Sequence, residues 1–273
     1  MLRAAVLGSP VSHSLSPVLH AAGYAALGLN DWVYDAHEVE ALELEEFVAG
    51  LGPEWRGLSL TMPLKEAGLA LAAEATDLAL AAGAANTLVR QTDGLWLADN
   101  TDVTGIVDAV RPHLIAPVGA GLVLGSGATA RSALLALARL GATRFTVAAR
   151  NAAKAEALAA WAARPEVGIG LVALAPLERW GTLPADVVVS AVAPAGGAAV
   201  ASGLAARRAG ILLDVVYAGW PTPLAIAALE AGLVVVPGLD MLVHQAAAQF
   251  ALFTGHTAPV AEMLRAGRAA LEG

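Results

Sequence analysis

Leu122-Val-Leu-Gly-Ser-Gly-Ala-Thr-Ala130, carried on by an apolar stretch to Leu140 and then by Arg144-Phe-Thr-Val-Ala-Ala-Arg150, decides the fold of this chain. A short β-rich run, a glycine-rich turn, a helix-length segment stopped at Gly141 and a second β-rich run spell a βαβ unit. Glycines at 125 and 127 permit a tight turn and let backbone N–H groups approach a pyrophosphate where the helix begins. The residues of that turn are Gly125, Ser126, Gly127, Ala128 and Thr129. Alanine stands at 130, where a third glycine often does, so the turn by itself also suits an ordinary strand-to-helix connection.

The end of the second strand tells the two nicotinamide dinucleotides apart. An NAD site wants an acid there, to accept hydrogen bonds from the ribose hydroxyls. This chain has Ala149-Arg150-Asn151, with Lys154 one turn further on. A guanidinium cannot accept those protons, but it pairs well with a 2′-phosphate. The cofactor expected is therefore NADP. The plainer reading of Arg150 is a solvated charge at a strand end.

Outward from this unit, apolar runs at 187–190, 211–214 and 233–236 continue the strand pattern, and helices are expected over 241–253 and 259–271. Upstream the pattern differs. Strands are expected over 2–8, 32–39 and 57–60, and helices over 16–27 and 42–49. Ser16 reads as the N-cap of the first helix, with Pro17 at its first position. An alanine-rich helical stretch runs from 65 to 82, followed by a hairpin over 86–98 that turns at Asp93-Gly94, and a helix from 102 to 113. The fold class expected is α/β with two domains. An N-terminal mixed-sheet domain for the substrate would take residues 1–101 and 238–273, and a doubly wound Rossmann domain for NADP would take 102–237.

Composition narrows the function. The 273 residues hold no cysteine, which removes disulfides, thiol nucleophiles and thiolate metal sites together. The six histidines show no metal-ligand spacing, so no metal is expected. A net charge of −8 without a basic cluster argues against nucleic acid. No apolar run is long enough for a membrane span, and residues 1–10 read as a buried strand rather than a leader, so the expected location is the cytoplasm.

Two polar clusters lie close to predicted strand ends. Ser59-Leu-Thr-Met-Pro-Leu-Lys65 and Asp99-Asn-Thr-Asp102 each deliver a charge after an apolar strand, at the edge where open α/β sheets bind ligands. Lys65 and Asp102 read as a proton-transfer pair beside a redox cofactor. Read singly, Lys65 is a surface charge and Asp102 a helix cap. Gly8-Ser-Pro-Val-Ser-His-Ser-Leu-Ser-Pro17 places hydroxyls from Ser14 and Ser16 at a helix start, a neutral trap for a carboxylate. Plain capping would account for Ser16 but not for Ser14.

Taken together these motifs resemble the shikimate dehydrogenase family over essentially the full length. Gly83-Ala-Ala-Asn-Thr87, Asp214-Val-Val-Tyr217 with Thr222-Pro-Leu224, and Gly238-Leu-Asp-Met-Leu-Val-His-Gln245 complete the set, in order. The resemblance implies reversible reduction of 3-dehydroshikimate to shikimate by NADPH, in a cleft between two domains. It implies that Lys65 is the catalytic base, with Asp102 beside it. Ser14, Ser16 and Thr61 would hold the carboxylate side with Tyr217 near, while Asn86, Asp102 and Gln245 would contact ring hydroxyls. Gly125 to Thr129, Ala149, Arg150, Asn151, Lys154, Val215 and Gly238 would line the NADP site. Asp77 matches a position sometimes tied to the cofactor, and equally suits an exposed helix carboxylate.

The chain departs from the family pattern at four places. Ser59 replaces the Asn of the lysine motif, and Ala21 the Asn after His20; Ala149 replaces the Asn before the arginine, and Ser190 the Asn of a usual Asn-Ala-Thr. The alternatives are a quinate/shikimate dehydrogenase using NAD and a non-catalytic binding domain of the same fold. The partner is expected to be the small-molecule substrate, with a homodimer left open.

Overall fold

The computed structural model describes residues 1–193, 196–206 and 210–272. The chain forms two compact units, one built from Met1–Gly105 with Leu242–Gly273 and the other from Ile106–Met241. Each has its own six-stranded sheet.

In the first unit the chain runs β1 (Leu2–Gly8), α1 (Ser16–Leu27), β2 (Trp32–Glu38), α2 (Leu44–Ala49), β3 (Trp55–Leu60), α3 (Lys65–Leu71), β4 (Glu74–Ala75), α4 (Asp77–Ala82), β5 (Thr87–Arg90) and β6 (Trp96–Asp99). The sheet order is β2-β1-β3-β5-β6-β4. β1 lies parallel to β2 and β3, whereas β5 is antiparallel to both β3 and β6. The sheet is thus mixed, and the hairpin at Asp93-Gly94 supplies its antiparallel part. Gly94 turns at φ 87°, a left-handed value that glycine takes without strain.

One sequence expectation fails here. The alanine-rich stretch 65–82 is not a single helix but two, split by β4. The cause is the free edge of β6: Ala73 and Thr76 donate backbone N–H groups to Trp96 and Ala98 across it. Satisfying that edge outweighs the helix propensity of a few alanines. Thr76 then caps α4 by accepting from the Ala79 N–H at 3.2 Å.

α5 (Thr101–Val110) leads from the first unit into the second. There follow β7 (Ala120–Leu124), α6 (Ala128–Arg139), β8 (Arg144–Ala149), α7 (Ala152–Ala162), β9 (Val172–Pro176), β10 (Val187–Ser190), α8 (Gly197–Ala201), β11 (Ile211–Asp214), α9 (Pro223–Glu230) and β12 (Val234–Pro237). All neighbours pair in parallel, in the order β12-β11-β10-β7-β8-β9. The order reverses beside β7, the switch point at which doubly wound sheets bind nucleotides. Central strands β7 and β10 are wholly buried, as a sheet covered on both faces requires. β9 is an edge strand, Val-Ala-Leu-Ala-Pro, with half of its side chains in solvent; its residues are apolar, but with one β-branched side chain and a closing proline they carry little strand signal.

α10 (Gly238–Thr254) and α11 (Val260–Glu272) complete the chain. Phe250 and Phe253 of α10 pack on Ala4, Val6 and Tyr34 of the first sheet and on Tyr24 of α1. That packing fixes the inner face of α10 against β1 and β3, and it sets where Gln245 and Gln249 point.

Candidate active site

Lys65 is the first residue of α3 and Asp102 the second of α5. Neither sits on a strand end as the sequence suggested. Each is carried a few residues past one, onto the first turn of the next helix. The pairing itself is direct, with Lys65 Nζ 2.5 Å from Asp102 Oδ2. Asp102 is 6 % exposed, so the ion pair is largely shielded from water. Asp102 does not cap its helix; both of its oxygens are taken by side chains.

Asn86 occupies the other carboxylate oxygen, donating Nδ2 to Asp102 Oδ1 at 2.8 Å. Its own carbonyl is fixed by the Thr101 backbone N–H at 2.7 Å and the Thr87 hydroxyl at 2.8 Å. These three bonds leave one orientation for the amide. Gln245 joins from α10, its Oε1 3.3 Å from Asn86 Nδ2 and its Nε2 donating to Leu242 O at 2.8 Å. Four residues from separate motifs therefore meet in one cluster: Lys65, Asn86, Asp102 and Gln245. Such a cluster holds a cationic proton donor beside a carboxylate and two amides, suited to a polyhydroxy substrate.

Ser14 and Ser16 open α1, but their roles are exchanged relative to the sequence expectation. Ser16 is already helical, and the N-cap position falls on Leu15. Ser14 Oγ accepts the Ser16 backbone N–H at 3.3 Å, a side-chain turn ahead of the helix. Its own O–H remains a donor. Ser16 is buried, with Tyr34 as a side-chain neighbour. Thr61 lies against Gly8: a Cβ at residue 8 would meet Thr61 Cγ2. Ser9 N–H binds Met62 O at 3.0 Å, so the serine loop and the lysine loop are stitched side by side.

The second unit holds the remaining candidates, save Asp77. Gly125 turns at φ 101°, where a Cβ would also come within 2.9 Å of the Ala191 carbonyl. Both facts require glycine. The helix it leads to, α6, starts from Gly127 with no side-chain cap, and a helix start of this kind presents backbone N–H groups to an anion. Arg150 is exposed beyond β8 and lines a groove of about 540 Å³ with Ala149, Ala152, Leu174, Glu156 and Glu178. Asn151 caps α7 through the Lys154 N–H at 2.9 Å. Gly238 packs so closely on the Val215 carbonyl that no side chain fits. Asp214 grips Thr222 at 2.7 Å and anchors the loop bearing Val215 and Tyr217, and burial pushes its carboxyl up. Tyr217 is half-buried, which raises its phenol as well. Asp77 is an exposed first-turn residue of α4 in the first unit. The glycine turn, the open helix start and the arginine together suit a dinucleotide phosphate.

Thr87 and Thr101 stand inside motifs without an assigned role, and Gln249 lies outside them. Gln249 lies four residues after Gln245 on one helix, hence on the same face. That spacing was the available signal. Among the described residues no helix is long and apolar enough to cross a membrane, and no group of three or more acids and histidines could hold a metal.

Comparison with known proteins gives the same picture. A family model for the shikimate dehydrogenase substrate binding domain matches residues 6–88, and one for the shikimate 5′-dehydrogenase C-terminal domain matches 238–266. A shikimate dehydrogenase (NADP(+)) of Caulobacter vibrioides is 39 % identical over 258 residues, spanning 92 % of this chain and 88 % of the relative. The crystal structure of Mycobacterium tuberculosis shikimate dehydrogenase superposes with a TM-score of 0.88 at 45 % identity, covering 99 % of this chain and all of that one. The Thermus thermophilus enzyme in complex with NADP(H) and shikimate superposes at 0.86 with 35 % identity, again over 99 % of this chain and all of that one.

Proposed function

The chain belongs to the shikimate dehydrogenase family, and on that premise we propose that it interconverts 3-dehydroshikimate and shikimate with NADP(H). The observation that carries the reading is the Lys65–Asp102 pair, tied through Asn86 to Gln245. NADPH, when bound, supplies the hydride. Gly125 to Thr129 with the start of α6 would hold its pyrophosphate, Arg150 and Lys154 its 2′-phosphate, and Val215 and Gly238 would line the rest. Ala149 brings no polar group to that end, and Asn151 spends its oxygen on the helix cap.

Lys65 gives a proton to the ketone oxygen as negative charge develops there, and takes it back in the reverse direction. Asp102 holds the ammonium in place and accepts a hydrogen bond from a ring hydroxyl. Asn86 and Gln245 orient the ring. Ser14, Ser16 and Thr61 bind the carboxylate, Ser14 through the O–H that its turn leaves over, and Tyr217 completes that side. Asp77 is assigned to the cofactor only through the resemblance. The first unit, Met1–Gly105 with Leu242–Gly273, binds the substrate, and the second, Ile106–Met241, the cofactor; the division falls four residues later at each crossing than the sequence expectation of 1–101 with 238–273 and 102–237. The cytoplasm is the proposed location, and a homodimer the assembly to be tested by light scattering.

A steady-state assay of NADPH oxidation by 3-dehydroshikimate, repeated with shikimate and quinate against NADP and NAD, tests the reading. Turnover of shikimate with NADP and a clear preference over quinate with NAD is the expected result. Preference for quinate and NAD would favour the rival dehydrogenase, and no turnover a binding domain.

A further inference from the structure

A line of buried hydrogen bonds runs behind the catalytic cluster. Tyr34 O–H donates to Ser59 Oγ at 2.6 Å, and Ser59 donates to Gln249 Oε1 at 2.7 Å. Gln249 Nε2 donates in turn to the Asn86 carbonyl at 3.1 Å and to Thr87 Oγ1 at 3.0 Å. Thr87 donates to Asn86 Oδ1 at 2.8 Å, and Asn86 Nδ2 donates to Asp102 at 2.8 Å. Every donor in the line points the same way, toward the carboxylate that holds Lys65. Such alignment polarises successive bonds cooperatively in a shielded interior.

We infer that Gln249, oriented by Ser59 and Tyr34, is a positioning residue that fixes Asn86 and Thr87 for the Asp102–Lys65 pair. Ser59 and Gln249 are 4 % and 1 % exposed and lie 190 positions apart in sequence, so the contact is a product of the fold. The Ser59 hydroxyl accepts from Tyr34 and so presents a proton to the amide, which accepts it through oxygen. That choice turns the amide N–H groups toward Asn86 and Thr87. Were the amide reversed, its oxygen would face the Asn86 carbonyl, and Thr87 would swing its proton away from Asn86 Oδ1. The Tyr34 ring cannot drift either, being stacked on His20 at 4.0 Å and 12°. Ser59 is also the place where the chain departs from the family's Asn, and an amide from α10 now stands beside that serine.

The inference rests on the proposed reaction, and the test separates the two. Wild type, Gln249→Met, Ser59→Ala, Ser59→Thr, Tyr34→Phe and the Gln249→Met/Ser59→Ala double variant are compared by kcat, shikimate KM, the pH profile of kcat and Tm. Gln249→Met keeps the length of the side chain without its polar ends and is expected to lower kcat about tenfold or more. Its pH profile should shift and its KM should move less than kcat. Ser59→Ala should follow in the same direction with a smaller loss, Tyr34→Phe least, and Ser59→Thr should keep wild-type kcat. The double variant should be no worse than Gln249→Met, since both act through one chain of bonds. A fall in Tm with kcat and pH profile unchanged would overturn the inference. If Gln249→Met does not fold, the Ala and Thr variants at 59 decide it alone, for only the hydroxyl separates their expected outcomes. An inactive wild type would instead refute the proposed reaction.

Discussion

Lys65 reaches Asp102 across two different helix starts, α3 and α5, and the two side chains meet at 2.5 Å. Neither helix could bring them together alone. α3 is set down by the turn after β3, and α5 by Thr101, whose backbone N–H is bound to Asn86 at 2.7 Å. The ammonium's position therefore depends on Asp102, and that of Asp102 on Asn86. Motion at any one of the three is passed to the others.

Lys65→Ala should lower kcat by roughly 10²–10⁴ with little change in shikimate KM, as for loss of a general acid/base. Asp102→Asn should lower kcat as well and raise KM, because it removes both the ammonium's partner and an acceptor for the ring. Initial rates with shikimate and NADP measure both. A Lys65→Ala enzyme within a few-fold of wild type would move the proton role to another group.

Ser14 and Ser16 should separate by stability rather than by KM alone. Ser14 Oγ holds the Ser16 N–H in the turn ahead of α1, and losing such a hydrogen bond costs about 1 kcal/mol. Ser14→Ala should therefore lose both affinity and Tm. Ser16→Ala should raise KM with a smaller change in Tm. A hydrogen bond to a charged group is worth about 1.5–3 kcal/mol, so an ester of shikimate should bind wild type more weakly than the acid. It should lose far less in the Ser14→Ala/Ser16→Ala double variant. Equal losses in both proteins would leave these serines a purely structural role.

The folded chain keeps His20 neutral. It is fully buried among Tyr24, Tyr34, Phe250 and Phe253, and burial pulls its imidazole down to about 3, with Gln249 acting weakly in the opposite sense. The unfolded chain takes up a proton below about 6.5, while the folded chain refuses it until about 3. More protons are bound unfolded, so stability is full above pH 6.5 and falls as the pH drops from there toward 3. Urea unfolding at pH 7, 6 and 5 should show this loss, and His20→Phe should flatten it. Equal slopes in the two proteins would place the titration elsewhere.

Both strand frameworks could be read from the sequence, because buried parallel strands announce themselves as apolar runs and the hairpin by Asp93-Gly94. β4 and β9 could not. β4 exists because β6 has an open edge, and β9 lies half in solvent, so tertiary context made both. The site divides in the same way. Lys65, Asn86, Asp102 and Gln245 sit in motifs and meet in space, whereas Gln249 acts through neighbours far off in sequence, and Thr87, though inside a motif, serves by holding the Asn86 beside it. The exchange of roles between Ser14 and Ser16 turns on a one-residue difference in where α1 begins, which local pattern does not resolve.

Arg150 carries the cofactor prediction. It directly follows β8, is exposed, and lines the groove with Glu156 and Glu178. Two carboxylates in that groove make it a poor place for a 2′-phosphate unless a cation offsets them. Ala149 offers no polar group, and Asn151 Oδ1 is committed to the Lys154 N–H at 2.9 Å, so Arg150 should supply most of the discrimination, helped by Lys154. Arg150→Leu should raise KM for NADP on the order of tenfold or more and leave KM for NAD nearly unchanged. Glu178→Gln should act in the opposite sense, tightening NADP by a few-fold. Both effects should shrink at high salt, because the groove is open to water and exposed charges are screened within about 10 Å at 0.1 M. If Arg150→Leu weakened NAD and NADP alike, the arginine would be structural and the 2′-phosphate would have to be read by another residue.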